Sequence, residues 1–141
     1  MIADLRKLDS VLLIDDDDVV NTLNSIILRK SGLVENIQSV MSGSEGLSTL
    51  SVCEKDNCWP SLIFVDINMP GMNGWEFIEL FKEKFSALKK KSMICLLSSS
   101  LDPRDKEKAD KSDLVDFYFS KPLSLEVVHE VCNNFISGLS K

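Results

Sequence analysis

Ser61-Leu62-Ile63-Phe64-Val65-Asp66-Ile67-Asn68-Met69-Pro70-Gly71 is the stretch from which the rest of the chain is read. Leu62 to Val65 is a short, unbroken apolar run with β-branched and aromatic members. Pro60 bounds it on one side and Met69-Pro70-Gly71 on the other. Such a run fits a strand buried on both faces, as in a parallel sheet. The strand ends by presenting Asp66 at its carboxyl tip, the edge at which open α/β sheets bind ligands. Taken alone, Asp66 is either a site residue or the turn former that stops the strand.

Working outward, Val11-Leu12-Leu13-Ile14 is a second buried-strand run and ends in Asp15-Asp16-Asp17-Asp18. Val20, Leu23, Ile27 and Lys30 then follow helical spacing, with Gly32 as a stop. Asn36 to Val40 reads as a short strand, Ser42-Gly43-Ser44 as an N-cap, and Leu47 and Leu50 as a short helix. Beyond Asp66, Ile78, Phe81, Phe85 and Leu88 mark a helix that begins near Asn73-Gly74. Lys89-Lys90-Lys91 reads as a solvated turn. Met93 to Leu97 is a fourth strand, ending in Ser98-Ser99-Ser100. Asp102-Pro103 opens a helix to Lys111 with proline at its first position and almost no apolar face. Leu114 to Phe119 is a fifth strand, ending in Ser120-Lys121-Pro122. Leu125, Val128, Cys132, Phe135 and Leu139 stripe the last helix. Five strand–helix alternations predict an α/β fold, a doubly wound five-stranded parallel sheet with helices on both faces. One domain, with its core over about residues 9–139, consumes the chain and leaves no output domain.

Composition sets the outer limits. The 141 residues suffice for one domain with a full core. Hydrophobic content of 44% and charged content of 27% are those of soluble globular proteins. A net charge of -6 argues against a nucleic-acid footprint. No apolar run reaches membrane-spanning length, and Met1 to Asp9 lacks a signal-peptide core, so the expectation is a cytoplasmic protein without a membrane partner. Cys53, Cys58, Cys95 and Cys132 show no zinc spacing, and His129 stands far from the first pair.

Polar residues now collect at the carboxyl tips of four strands: Asp15 and Asp16, Asp66, Ser98, and Lys121. Carboxylates on neighbouring tips lie about 5 Å apart, and at an effective dielectric near 20 each pair repels by roughly 3 kcal/mol. Lys121 offsets one of three negative charges, and a divalent cation offsets the rest. Mg²⁺ suits such a site, since it takes one or two carboxylates, keeps waters and accepts a phosphate oxygen. An EF-hand loop starting at Asp15 or Asp16 fails, because its required glycine and closing glutamate positions hold other residues. A phosphoryl group held in line with an Asp66 oxygen, its charge taken up by the metal, Lys121 and Ser98, meets the needs of phosphoryl transfer, and an aspartyl phosphate is a precedented product.

In these features the chain resembles the receiver domains of two-component response regulators. The matching residues are Asp15-Asp16, Asp66 with Asn68-Met69-Pro70-Gly71-Met72-Asn73-Gly74, Ser98, and Lys121-Pro122, in the family's order over nearly the whole chain. The resemblance implies a flavodoxin-like sheet of order 2-1-3-4-5. It implies Asp66 as phosphoacceptor, Asp16 as a direct Mg²⁺ ligand, Asp15 as a ligand largely through water, and the Asn68 carbonyl as a further ligand. It implies Ser98 as the switch hydroxyl, Ser99 as the small residue that keeps the pocket open, Tyr118 as the aromatic switch, Lys121 as the phosphoryl partner, and a cis Lys121-Pro122 bond. Alternation alone leaves the Ser98-Ser99-Ser100 register uncertain by one residue. Asp17 or Asp18 reads as an N-cap, Gly71 and Gly74 as turn residues, and His129 as solvated. Asn68 and Ser100 flank the site and tune the lifetime of the phosphorylated state.

Three functions follow as expectations. The first is a stand-alone switch, phosphorylated by a sensor histidine kinase or histidine phosphotransfer protein and read by an unnamed downstream protein, which catalyses no chemistry beyond its own phosphorylation and dephosphorylation. The second is a haloacid-dehalogenase-type phosphatase with Asp15 as nucleophile and Asp17 as acid/base. That family needs further acidic residues after the lysine, and no Asp follows Lys121. The third is a phosphorylation-independent interaction module on the same fold.

Overall fold

Each apolar run becomes a strand, and each strand hands the chain to a helix. The computed structural model describes residues 7–99 and 102–139. Its elements are β1 (Leu8–Ile14), α1 (Asp18–Ser31), β2 (Val34–Val40), α2 (Gly43–Asp56), β3 (Leu62–Asp66), α3 (Gly74–Phe85), a 3-10 segment (Ser86–Lys91), β4 (Met93–Ser98), α4 (Pro103–Lys111), β5 (Phe117–Ser120) and α5 (Leu125–Leu139). The strands form one parallel sheet in the order β2-β1-β3-β4-β5. From β1 the chain winds one way to β2 and the other way to β3, so the order reverses between β1 and β3. A crevice opens at such a reversal, and the tips that flank it carry Asp15 and Asp66.

The continuous apolar runs serve two cores at once because successive side chains point to opposite faces. Leu12, Ile14, Ile63, Val65, Ile94 and Leu96 meet α2 and α3 through Leu47, Leu50, Phe77 and Phe81. Val11, Leu13, Phe64, Cys95 and Leu97 meet α1 and α5 through Leu28, Val128, Val131 and Cys132. Caps set the helix starts. Asp17 accepts from the Val19 and Val20 amides, and Asn73 and Glu76 close a capping box on α3. Gly32 ends α1 in the left-handed region at φ 71°.

Five expectations are corrected. The inner face of α1 is Asn21, Asn24 and Leu28 rather than Val20, Leu23 and Ile27. The Asn21 amide donates to the carbonyls of Asp15 (2.9 Å) and Val40 (3.3 Å), and Asn24 Oδ1 accepts from the Leu123 amide (3.0 Å). Buried hydrogen bonds from the Asn21 Nδ2 and to the Asn24 Oδ1 set the phase of this helix, and Val19, Leu23 and Ile26 face solvent. Helix α2 is longer than its two leucines suggested. Strand β5 begins at Phe117 rather than Leu114, because the Ser112 hydroxyl takes the Leu114 and Val115 amides into a turn. Lys89 is not merely solvated: it donates to Asp116 at 2.9 Å and to the Ser92 carbonyl at 3.2 Å. Of the expected α5 stripe, Val128, Cys132 and Phe135 pack into the core, joined by Val131, whereas Leu125 does not join it. The Leu139 side chain and Ser100 lie outside the described residues.

Candidate functional site

The crevice between β1 and β3 gathers carboxylates from two strand ends. Asp15 and Asp66 are each 2% exposed, and Asp16 is the more exposed third member. Carboxylate oxygens of Asp15, Asp16 and Asp66 all lie within 4.8 Å of one another. Lys121 reaches in from the end of β5, its Nζ 3.1 Å from Asp15 Oδ2 and 3.3 Å from Asp66 Oδ2. Backbone amides complete the arrangement: Asp17 donates to Asp15 Oδ1 at 2.9 Å and Asn68 to Asp66 Oδ1 at 3.2 Å.

One ammonium does not balance three carboxylates. Burial, and then the charge of Asp15, push the Asp66 carboxyl up from 3.8 to about 6, although Lys121 and the Asn68 amide pull the other way. Burial works against the charge of Lys121, but the hydrogen bond and charge of Asp15, followed by those of Asp66, raise its pKa on balance. Surplus negative charge and an all-oxygen donor set fit a hard divalent cation.

The response regulator receiver domain family matches residues 11–133. The chain belongs to this family. It is similar to the crystal structure of a two-component response regulator from Cytophaga hutchinsonii, at 55% identity and a TM-score of 0.91, over 94% of this chain and 99% of that one. A receiver protein from Dyadobacter fermentans shares the fold at 23% identity and a TM-score of 0.80, over 91% of this chain and 98% of that one. Among sequence relatives, the protein PilG of Pseudomonas aeruginosa is 31% identical, over 82% of this chain and 78% of its own length. A hybrid signal transduction histidine kinase, D, of Dictyostelium discoideum is 29% identical over 93% of this chain. The chain spans about 8% of the length of that kinase.

The receiver fold brings most of the other expected residues to the same rim. Ser98 is the last residue of β4 and is 1% exposed, whereas Ser99 faces solvent, which fixes the register that alternation left open. The Ser98 carbonyl accepts from the Lys121 amide at 2.9 Å, so the two strand tips are tied together. The Lys121-Pro122 bond is cis. Tyr118 is half-buried on β5, and its hydroxyl accepts from the Asp102 amide at 3.1 Å, at the start of α4. Gly71 is a turn residue at φ 79°. His129 is exposed on α5, away from the cluster.

Sequence reading missed four contributions. Asn21 holds the carbonyl of Asp15, and Asn24 holds the segment after Pro122; both look like ordinary polar helix residues until the helix phase is known. Gly74 is more than a turn former. A methyl group there would stand 2.8 Å from the Asp66 carbonyl oxygen and 2.8 Å from the Ile67 Cα, so glycine lets α3 start against the end of β3. Trp75, the next residue, donates its indole N–H to Asp105 of α4 at 3.0 Å and lies beneath the Lys108 ammonium, 4.6 Å from the ring centroid. Only its place directly after the glycine signalled a position near the acceptor. Among the described residues, no helix is long and apolar enough to cross a membrane.

Proposed function

We propose that this receiver accepts a phosphoryl group on Asp66 from a phosphohistidine of a sensor histidine kinase or histidine phosphotransfer protein, in a Mg²⁺-dependent reaction in the cytoplasm. The reading rests on one observation above all: a buried Asp66 with raised proton affinity, flanked by two further carboxylates and a lysine at a single rim. Asp16, Asp66 and the Asn68 carbonyl would hold Mg²⁺ directly. Asp15, whose two oxygens already accept from Asp17 and Lys121, would act largely through water. The bound ion supplies charge neutralisation for the incoming phosphoryl oxygens.

An Asp66 carboxylate oxygen attacks phosphorus; the O–P bond forms as the P–N bond to the donor histidine breaks, and the histidine nitrogen leaves. Lys121 transfers its attention from the Asp66 carboxylate to a phosphoryl oxygen, and the Ser98 hydroxyl donates to another. Water later cleaves the O–P bond and releases phosphate, so the protein turns over only its own phosphoryl group. The added charge biases Ser98 and Tyr118, and through the Asp102 contact α4, altering the surface of α4, β5 and α5 that a downstream protein reads. The donor would seat on Val19, Leu23 and Ile26, which are 66%, 46% and 53% exposed. They form one stripe on α1 and start two residues beyond the cap at Asp17, beside the rim.

Incubation with Mg²⁺ and acetyl phosphate or a cognate phosphodonor, followed by mapping of the modified residue, tests the proposal. Hydroxylamine-labile label on Asp66, absent from Asp66→Asn, is the expected result. Label on Asp15 with turnover of many phosphomonoesters would instead establish the phosphatase reading. An unlabelled chain under every donor would leave the phosphorylation-independent module.

A further inference from the structure

At the far end of α2, the edge of the sheet opposite the acidic rim, two thiols meet. Helix α2 closes on Asn57 in the left-handed region at φ 58°. The chain then doubles back, and the Cys58 amide donates to the Cys53 carbonyl at 2.9 Å. This six-to-one bond characterises a Schellman turn, which places the residue after the left-handed one against the helix's last turn. Here both side chains are cysteines. Both thiols are free, and the backbone bond between the two residues holds their side chains at one turn of the chain. Cys58 is exposed and Cys53 half-buried. Both line a cavity of about 430 Å³ between α2 and the β1–β2 edge, with Ile37, Gln38, Thr49 and Pro60 among its walls. Cys95 and Cys132, by contrast, are fully buried.

We propose that Cys53 and Cys58 are a modification site: a dithiol that small peroxides convert to a reversible intrachain disulfide. The exposed Cys58 thiolate attacks a peroxide oxygen; its S–O bond forms as the O–O bond breaks, giving a sulfenic acid and one water. The Cys53 sulfur then attacks the Cys58 sulfur as its proton passes to the departing hydroxyl; the S–S bond forms, and the S–O bond breaks to release a second water. In total, two thiols and one hydrogen peroxide give one disulfide and two waters, with two electrons passing from sulfur to peroxide. Burial, and then contact with Cys58, push the Cys53 thiol up to about 11. A thiol held protonated in this way is slow to react with an oxidant in solution, which leaves the first oxidation to the exposed Cys58. The link would close a short ring over the helix cap and fasten the last turn of α2.

The full chain is exposed to hydrogen peroxide, quenched, unfolded in guanidinium with an alkylating agent, and mapped by mass spectrometry. The expected outcome is a fall from four alkylatable thiols to two, a chain lighter by two hydrogens, a Cys53–Cys58 peptide link, and full reversal by dithiothreitol. Cys53→Ser should stop at a Cys58 sulfenic acid that dimedone traps, and Cys58→Ser should leave Cys53 alkylatable. Hydrogen exchange in the last turn of α2 should slow in the oxidised wild type alone. Four alkylatable thiols after treatment, sulfinic acid on Cys58 with Cys53 still free, or a covalent dimer through Cys58 would each overturn the assignment.

Discussion

Asp66 carries a carboxylate at a place where solvent no longer supports one. Its proton affinity is raised in the folded chain, from 3.8 to about 6, so the folded state binds that proton more tightly than the unfolded state does. The contribution of Asp66 to stability is therefore full below pH 4, is lost as pH rises towards 6, and leaves a standing cost above that. Asp66→Asn removes the charge and keeps the shape. In EDTA at pH 7 it should stabilise the protein by about 1–3 kcal/mol, and the difference from wild type should vanish by pH 4; urea denaturation across that range measures it. Equal stability of the two chains at pH 7 would refute the account of surplus charge. A neighbouring position shows the opposite economy. Gly74→Ala puts a methyl group 2.8 Å from backbone atoms of Asp66 and Ile67, which have no flexible side chain to yield. The change should destabilise by about 1–3 kcal/mol, readable as a lower urea midpoint with an unchanged slope.

Among the α-helices, α4 depends least on apolar packing. Ala109 is its only buried residue, and its outward pairs, Lys106–Asp110 and Lys111–Glu107, are exposed and contribute little. Three contacts from outside hold it instead: Trp75 to Asp105, Lys108 over Trp75, and Tyr118 to the Asp102 amide. An element secured by a few polar links opens more readily than one secured by a core. Trp75→Phe keeps a ring beneath Lys108 and deletes the indole donor. Loss of a bond worth about 1 kcal/mol should speed amide exchange across α4 several-fold while leaving α3 and α5 unchanged. Uniform acceleration over the chain would mean global destabilisation rather than release of this helix.

For the whole molecule, strand order decides what meets what. The reversal between β1 and β3 puts Asp15 and Asp16 beside Asp66, although some fifty residues separate them in the chain. The same winding turns Asn21, Asn24 and Leu28 of α1 inward and Val19, Leu23 and Ile26 outward, so the apolar stripe that faces water borders the acidic rim. On the proposed docking mode a donor protein uses that stripe, whereas a small donor uses only the rim. Leu23→Asp should slow transfer from a histidine-phosphorylated protein about tenfold or more, with acetyl phosphate labelling unchanged and stability within about 0.5 kcal/mol of wild type. Equal slowing with both donors would place the defect in the pocket and remove α1 from the docking surface.

Local pattern was enough to specify the α/β alternation, because a strand buried on both faces must be apolar at every position and a strand tip must turn. It was enough also to nominate Asp15, Asp16, Asp66, Ser98 and Lys121, since each lies within two residues of the end of such a run. Tertiary structure alone decided the rotation of α1, where Asn21 and Asn24, hydrogen-bonded to backbone groups of other segments, face inward at the expense of Leu23 and Ile26. It alone decided the start of β5, the register of Ser98, the need for glycine at position 74, and the latch between Trp75 and α4. Each of these depends on a partner distant in sequence, and side-chain spacing along one segment carries no information about what another segment brings to meet it.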